Sequence, residues 1–214
     1  HISSAGSITE YQFYEGLICS TARLTYDQVA DGLIGKPWGE SLSSTKNLVA
    51  KLLVQRKKRG ALDFETPELD FTFDTDGNIS AIRQKTRNDA MQLIEECMLC
   101  ANVCAASFID ELKLTGIYRV HERPDEKKIF SLRKFLNSLN VTLPEGLPSP
   151  VDLQDALNQL NKKLNGSVLQ LAILRSLSQA KYELRNTGHY GFNFSNDTHF
   201  TSPIRRYPDL VTHR

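Results

Sequence analysis

The stretch His199-Phe-Thr-Ser-Pro-Ile-Arg-Arg-Tyr-Pro-Asp-Leu-Val-Thr-His-Arg214 places two adjacent arginines, Arg205 and Arg206, between two prolines. Proline fixes its own φ and favours extended geometry in the residue before it, so a stiff backbone is expected under the arginine pair. A guanidinium group is always charged and can bind two phosphate oxygens at once. The stretch therefore predicts a phosphate-binding site. The alternative is a structural ion pair between an arginine and a carboxylate such as Asp209.

The composition indicates a globular protein and leaves the nature of its partners open. Of its 214 residues, 40% are hydrophobic and 24% are charged, which provides a buried core and argues against disorder. The formal net charge is +1, so any basic surface for nucleic acid must be local. No apolar run approaches about 20 residues, and no basic segment followed by an apolar one opens the chain. The sequence therefore predicts neither a membrane span nor a secretory signal.

Three of the four cysteines, Cys97, Cys100 and Cys104, lie close together in a strongly helical segment. Their spacing could suit a metal site, but a helix rarely wraps three thiolates around one ion, and no fourth Cys or His lies near. We therefore expect reduced thiols that pack as small apolar groups. Such thiols are typical of a reducing cytoplasm, which is the predicted location.

The hydrophobic pattern predicts one α+β, helix-rich domain with antiparallel hairpins. The elements predicted for the first half are a hairpin over 1–25, a short helix opened by Thr25-Tyr26-Asp27, a helix over 45–59, a second hairpin over 61–84 and a long buried helix from 89 to about 114. Those predicted for the second half are a strand over 117–123, helices over 126–139, 150–164 and 167–181, a short strand or turn over 188–194, and a helix starting at 210.

Two charged features interrupt this apolar pattern. The long helix is predicted to bury Met91, Ile94, Met98, Ala101, Cys104, Ala105 and Phe108. Glu95 and Glu96 lie within that pattern, and a buried carboxylate needs a partner. An arginine, a metal-bound water or a ribose hydroxyl would serve, and an ion pair with Arg87 or a distant arginine is the structural alternative. The basic run over 56–59 is either a solvated helix end or a phosphate contact.

The arginine stretch and four further motifs closely resemble the ribonuclease II superfamily, whose catalytic module is the RNB domain, and its ribonuclease R branch in particular. The further motifs are Ser20-Thr-Ala-Arg-Leu-Thr-Tyr26, Arg59-Gly-Ala-Leu-Asp-Phe-Glu65, Gln84–Asn88 with Ile94-Glu-Glu-Cys-Met98, and Val120-His-Glu-Arg-Pro124. They occur in the family's order and at its spacing, and the resemblance spans residues 1–214. It implies that the chain is the C-terminal portion of an RNB-type catalytic domain. We also expect a monomer.

The resemblance implies an enzyme that removes nucleotides hydrolytically from an RNA 3′ end and releases nucleoside 5′-monophosphates. Arg205 resembles the family's catalytic arginine, which holds the scissile phosphate and counters the charge of the transition state. The implied RNA-binding residues are Arg206 as a second phosphate contact, Tyr207 as a wall of the site, Phe64 as a base-stacking aromatic, Glu95 as an acceptor for a ribose 2′-hydroxyl, and Tyr26 as a residue that seats the RNA. His121 and His189 lie in family motifs, with either a positioning or a purely structural role.

The family's magnesium ligands have no counterpart in this sequence. In the family, a short aspartate-rich motif upstream of the segment matching His1 holds the catalytic Mg²⁺ ions. The second aromatic of the base clamp and the flanking RNA-binding barrels also lie outside residues 1–214. Asp74-Thr-Asp76 is predicted to form a turn, and Asp89 is predicted to cap a helix, so neither replaces the motif. Because two-metal hydrolysis needs ions at the attacking and leaving oxygens, we expect this stretch not to cleave RNA by itself.

Three hypotheses about function follow. The leading one is part of a 3′→5′ exoribonuclease that acts on the 3′ end of single-stranded RNA. The second is a non-catalytic RNA-binding module, derived from a family member that has lost its aspartates. The third is a helical domain whose motifs only hold its fold together.

Overall fold

The computed structural model describes residues 1–32, 35, 37–64, 68–85 and 87–214, and it shows helices with small antiparallel sheets. The helices are α1 (Tyr26–Ala30), α2 (Trp38–Arg59), α3 (Asp89–Glu111), α4 (Glu126–Ser138), α5 (Pro150–Leu160), α6 (Gly166–Ser176) and α7 (Tyr207–Thr212). The strands are β1 (Glu68–Phe73), β2 (Ile79–Lys85), β3 (Tyr118–Val120) and β4 (Lys181–Glu183), paired β1 with β2 and β3 with β4. The predicted α+β, helix-rich class is confirmed.

The main hydrophobic core lies between α4, α5 and α6. Its buried side chains are Leu62, Ile129, Leu132, Leu136, Val141, Leu143, Leu153, Ala156, Leu157, Leu160, Ile173 and Leu177. Those on the helices recur at intervals of three and four residues and therefore share one face of each helix. Asp125 caps α4, and Ser149 forms a capping box with Asp152 at the start of α5, so both helices begin at defined positions.

Helix α3 buries a different face from the one that its apolar residues predict. Asn88 caps its first turn by accepting a hydrogen bond from the Met91 amide. The buried residues are Ala90, Leu93, Glu96, Leu99, Asn102, Ala105, Ala106 and Ile109. Leu93 is only 5% exposed whereas Ile94 is 42% exposed, so the predicted face was wrong by about one position. The physical reason is that Glu96 and Asn102 have hydrogen-bond partners, which offset the cost of burying them.

By length and composition, α3 is also apolar enough to cross a membrane. Its buried face nevertheless packs inside the protein and includes Glu96 and Asn102, as in the core helices of globular proteins. Such a helix alone is weak evidence for a membrane span. The expected absence of a span stays a prediction.

The hairpin predicted over residues 1–25 is reduced to a tight turn. Ile2 and Ile8 form an isolated antiparallel bridge around it, and residues 9–24 have no regular secondary structure. Leu17 and Ile18 are fully exposed rather than part of a strand face. The alternating pattern did not produce strands because no neighbouring strand in the described ranges offers an edge to complete the hydrogen bonds.

Several predicted element ends also move. Helix α2 begins at Trp38 rather than near Thr45, and within it the Thr45 hydroxyl donates to the Ser41 carbonyl at 2.7 Å. The helix predicted over 167–181 ends at Ser176, and Lys181 instead pairs with the edge of β3. Residues 61–64 are not in a strand, and 65–67, including Glu65 of a quoted motif, lie outside the described residues, as does Thr86. The helix expected from Leu210 begins at Tyr207. The turn after Asp74 is confirmed.

Candidate functional site

The arginine stretch forms a loop that is anchored by Asp209. This carboxylate is fully buried in the first turn of α7. Its Oδ1 atom accepts one hydrogen bond from the Ser202 backbone amide and one from Nη2 of Arg206, both at 2.7 Å. The backbone amides of Arg205 and Arg206 both donate to the Ser202 carbonyl. The loop is therefore closed on itself as well as tied to the helix that follows it.

The two neighbouring arginines have different environments. Arg206 forms the ion pair with Asp209, and its side chain is 21% exposed. Arg205 is exposed, and within the described part of the chain its guanidinium has no hydrogen bond or ion pair. The structural ion pair considered as an alternative for both arginines thus forms at Arg206 only. Tyr207, beside them, is also largely exposed.

A series of polar contacts, from Arg206 to His199 and from His199 to Tyr182, supports the Arg206 guanidinium. Nη1 of Arg206 lies 3.4 Å from Nε2 of His199, and Nδ1 of His199 lies 2.6 Å from the Tyr182 hydroxyl. Because arginine can only donate, Nε2 accepts and Nδ1 carries the hydrogen. Burial, followed by the nearby positive charges of Arg206 and Arg119, lowers the pKa of His199 to about 4. The imidazole is therefore neutral at neutral pH and adds no positive charge beside the arginine pair.

The arginine loop rests on the second half of α3. Oδ1 of Asn102 accepts a hydrogen bond of 3.1 Å from the Phe200 backbone amide. Phe13 packs edge-on against both Phe108 and Phe200, with ring centroids 5.3 Å apart in each pair. The Phe200 ring stacks on His213 at 4.1 Å. These contacts fix where the loop stands relative to α3.

Glu95, on the first half of α3, is part of an ion-pair ring formed by Arg56, Asp63, Arg87 and Glu95. Nη1 of Arg56 donates to Oε1 of Glu95 at 2.8 Å, and Nη2 donates to Oδ1 of Asp63 at 3.3 Å. Arg87 closes the ring through its own bonds to Asp63, at 3.1 Å, and to Oε2 of Glu95. Glu96 joins from the interior by accepting from Nη1 of Arg56 at 2.7 Å. Both arginine partners considered for this carboxylate pair are therefore present.

Arg56 carries its charge in the protein interior, where it is only 5% exposed. Burial opposes that charge, but hydrogen bonds with Glu95 and Glu96 and the nearby Asp63 carboxylate outweigh it, so the pKa of Arg56 is raised. A buried arginine with several carboxylate partners is a fixed structural cation rather than a free ligand for RNA.

The basic run at the end of α2 consequently divides into two kinds of residue. Lys57 and Lys58 are exposed, as a solvated helix end requires. Arg59 is half-buried, with its guanidinium carbon 4.0 Å from the centre of the Phe194 ring, and Arg56 is in the ion-pair ring. The expectation of a solvated end therefore holds for the two lysines only, and contact with phosphate stays a prediction.

Phe64 and Tyr26 are each adjacent in sequence to a residue that is hydrogen-bonded at the start of α3. Phe64 is half-buried against the main core, directly after Asp63 of the ion-pair ring. Tyr26 is an exposed residue at the start of α1, where Thr25 forms the cap. The next residue, Asp27, accepts a hydrogen bond of 3.3 Å from the Asn88 side chain at the start of α3. Their roles toward RNA stay predictions.

His121 and His189 are buried and hold the turn over 188–194 against β3. Nδ1 of His121 accepts from the Gly191 amide at 3.0 Å, and Nδ1 of His189 accepts from the Phe192 amide at 3.1 Å. Burial, followed by the proximity of His121, lowers the pKa of His189 to about 3. Burial likewise lowers the pKa of His121. Of the two roles left open for these residues, the contacts favour the structural one.

The described residues contain no group of three or more His, Cys, Asp or Glu side chains that could hold a metal ion. Cys97, Cys100 and Cys104 are free and partly buried, and burial raises the pKa of Cys100 to about 11. Cys97 and Cys100 pack against a small apolar cluster, which confirms their role as packing thiols. The ring carboxylates are already paired with arginines. The residues that the structure describes therefore do not fit a magnesium site.

Sequence reasoning missed several residues that build the site. Arg56 was grouped with a basic run, although it lies at helical spacing from the buried residues Val49 and Leu52. Asn102 had a comparable signal, since it is a polar residue among the apolar positions of α3. Asp63 lies in one of the quoted family motifs, but nothing in the sequence indicated an ion pair there, because its arginine partners come together only when α2 and α3 pack.

Comparison with known proteins places the chain in a family. A family model described as "RNB domain" matches residues 1–214. The ribonuclease R proteins of Escherichia coli and Vibrio cholerae are each 40% identical over 222 residues, which is 100% of this chain and 27% of theirs. The chain thus spans about a quarter of the length of these relatives.

Solved structures agree with this result. Mycoplasma genitalium RNase R, in complex with ribose-methylated single-stranded RNA, has a TM-score of 0.82 at 31% identity, over 88% of this chain and 31% of that one. The yeast pseudonuclease Ssd1 has a TM-score of 0.64 at 17% identity, over 89% of this chain and 24% of that one, and so shares the fold. From the family match and this structural likeness, the chain belongs to the RNB-domain family, as do the ribonuclease R proteins.

Proposed function

We propose that the chain is part of a 3′→5′ hydrolytic exoribonuclease that degrades single-stranded RNA to nucleoside 5′-monophosphates. The observation that carries this proposal is the difference between the environments of the two neighbouring arginines. Arg206 is tied to the buried Asp209, while Arg205 stands exposed on the loop that Arg206 stabilises. Membership of the RNB family and the RNA complexes of its ribonuclease R members support the same conclusion.

Arg205 would act on the scissile phosphate. Negative charge builds on the phosphoryl oxygens as water attacks the phosphorus and the bond from phosphorus to the 3′ oxygen of the remaining RNA breaks, and a cation that is already in place stabilises that charge without reorganisation. A guanidinium fork can reach two of these oxygens at once. Arg206 would add a second, weaker phosphate contact from the part of its fork that Asp209 leaves unused, and Tyr207 would form a wall of the site.

The remaining residues would hold the RNA 3′ end. Phe64 would stack on a terminal base, which is tolerant of sequence because every base has a π-face. Glu95 would accept a hydrogen bond from a ribose 2′-hydroxyl, the group that distinguishes RNA from DNA. Tyr26 would seat the neighbouring nucleotides.

We further propose that Mg²⁺ is required and that its ligands lie outside residues 1–214, so that this stretch alone does not cleave RNA. The four free cysteines support a location in the reducing cytoplasm. A monomer that binds single-stranded RNA and no membrane remains the proposed state.

The test is the variant Arg205→Ala in the full-length protein that carries this chain. We expect turnover of poly(A) to 5′-monophosphates in the presence of Mg²⁺ to fall about 10²–10³-fold, as on loss of one preorganised transition-state donor. Arg205→Lys should recover only part of the loss, because an ammonium cannot fork onto two oxygens.

Arg185→Ala is the matched control, since Arg185 is also exposed and lies outside the site. Its turnover should stay within about twofold of wild type. Undiminished turnover in Arg205→Ala would remove Arg205 from the mechanism. RNA binding by the full-length protein without any release of monophosphates would favour the non-catalytic RNA-binding module instead.

A further inference from the structure

The ion-pair ring joins two segments that are separate in sequence, residues 56–63 and 87–95. Arg56 is in the last turn of α2, Asp63 follows that helix, Arg87 precedes α3, and Glu95 lies two turns into α3. Each arginine contacts both carboxylates, so the four side chains form a closed circuit. A closed circuit restricts each member more than an isolated pair does, because no side chain can rotate without breaking two contacts.

The ring fixes the orientation of the Glu95 carboxylate. Its Oε1 accepts from Arg56 and its Oε2 accepts from Arg87, so both oxygens are held. Each carboxylate oxygen has two lone pairs, which leaves acceptor capacity on each for one further donor. A ribose hydroxyl would therefore meet a carboxylate whose direction is already set.

The ring also connects Glu95 to Phe64. Asp63 accepts hydrogen bonds from both arginines, and the next residue is Phe64, packed against the main core. The Asp63 amide donates to Oε1 of Gln154 at 2.8 Å, which ties this segment to α5. The ribose-binding carboxylate and the base-stacking aromatic are thus held at a defined separation by the same arginines.

The two arginines contribute differently to this arrangement. Arg56 is buried and bound by Glu96 as well, so water cannot readily replace its contacts. Arg87 is about one-third exposed and closes the ring from the solvent side. The inner arginine should therefore dominate the geometry and the outer one should refine it.

We propose that Arg56, assisted by Arg87, is a positioning residue. It holds Glu95 and Phe64 at the separation that a single bound nucleotide requires, and it thereby sets the preference for RNA over DNA. This proposal rests on the proposed function, in which Glu95 accepts from the 2′-hydroxyl. Neither arginine contacts the nucleic acid in this arrangement. Their effect passes through Glu95 and Asp63.

The test measures binding of single-stranded oligo(A) and of its deoxy counterpart to the full-length protein without divalent metal, which prevents cleavage. Arg56→Lys keeps the charge but loses the fork that holds the carboxylates of Asp63, Glu95 and Glu96. We expect the ratio of its RNA affinity to its DNA affinity to fall about tenfold, the value of one hydrogen bond to a charged group. Arg87→Gln should lower the same preference by up to about fivefold, as expected for an exposed ion pair.

Two comparisons make the result specific. Arg133→Lys is the matched control, because Nη2 of Arg133 also donates to two acceptors, the carbonyls of Pro144 and Gly146, away from the site. It should leave the RNA-to-DNA ratio unchanged. In a Glu95→Gln background, Arg56→Lys should cause no further loss of that ratio, because the residue that it positions has already been disabled.

The outcomes separate the two proposals. If Glu95→Gln lowers the RNA preference and Arg56→Lys and Arg87→Gln do not, the positioning role is wrong and the ribose contact stands. If Glu95→Gln leaves the preference unchanged, the ribose contact itself is wrong. Should Arg56→Lys fail to fold, Arg87→Gln and its double variant with Glu95→Gln still decide the matter, since Arg87 is exposed.

Discussion

At the scale of single residues, identical neighbours in the sequence acquire different chemistry from their partners. Arg205 and Arg206 differ because Asp209 is buried within reach of only one of them. An ion pair with a buried carboxylate is strongly destabilising to break, about 3–5 kcal/mol, so Arg206 is not free to leave it for a ligand. Arg205 has no such contact in the described chain, so its full fork is available for the proposed phosphate contact.

Gly191 offers a sharp prediction at the same scale. A Cβ atom at this position would lie 2.8 Å from Nδ1 of His121, a buried ring that itself accepts from the Gly191 amide. We expect Gly191→Ala to lower the free energy of unfolding by about 1–3 kcal/mol, as overpacking does. Urea unfolding measures this change.

Gly16→Ala is the control for this variant, because nothing lies within 4 Å of the position of its Cβ. Its free energy of unfolding should stay within about 0.5 kcal/mol of wild type. Equal stabilities of the two variants would show that His121 can move away from the turn.

At the scale of elements, α3 carries both parts of the site. Glu95 lies on its first half, and Asn102, which holds the arginine loop, lies seven residues further on. Seven residues are about 10 Å of helix, so a rigid helix sets the spacing between the proposed ribose contact and the proposed phosphate contact. Its orientation about its own axis is consequently part of the site geometry.

That orientation can be tested on two adjacent residues of α3. Leu93 is buried against Val49 and Leu52 of α2, whereas Ile94 is exposed. We expect Leu93→Ala to cost about 2–5 kcal/mol of unfolding free energy, from lost burial and the cavity that remains. Ile94→Ala should cost clearly less in the same urea titration. A larger loss at Ile94 would restore the face that the apolar pattern predicts.

At the scale of the whole molecule, buried titratable groups make stability depend on pH. The pKa of His189 is lowered to about 3 and that of His199 to about 4, chiefly by burial. Unfolding would expose both rings and return their pKa to the ordinary value of 6.5. Their contribution to stability is therefore present above pH 6.5 and is lost as the pH falls towards 4 and 3.

Asp197 changes the stability of the folded protein with pH in the opposite direction to the two histidines. It is buried, and that burial raises its pKa to about 7 despite the opposing influence of Arg119. The folded state thus takes up a proton below pH 7 that the unfolded state binds only near 3.8. Its ionisation destabilises the folded protein increasingly from pH 4 to pH 7, and constantly above that.

Replacing this carboxylate should therefore change the pH profile in a defined way. We expect Asp197→Asn to raise the free energy of unfolding at pH 8, by up to about 4 kcal/mol, and the gain to vanish near pH 4. The acid loss caused by the histidines should then appear steeper than in wild type. Urea titrations at a series of pH values measure both effects, and a gain that grows towards low pH would contradict the assigned sign.

Local chemistry in the sequence was sufficient for the helix-rich class, the start of α1 after Thr25, and the arginine stretch as a charged, stiffened loop. Cap residues such as Thr25 and Ser149 bond to backbone amides only a few positions away, so the sequence around them contains all that their effect requires. The family resemblance had the same local origin, since it rests on five short motifs.

Tertiary structure alone decided which arginine is held and which is exposed, which face of α3 is buried, and that Arg56, Asp63, Arg87 and Glu95 close into one ring. The physical reason is that the cost of burying a polar group depends on its partner. Here the partners are distant in sequence: Glu96 lies 40 positions from Arg56, and Phe200 lies 98 positions from Asn102. Periodicity records which residues are apolar, but only the packed chain shows which polar groups have been satisfied.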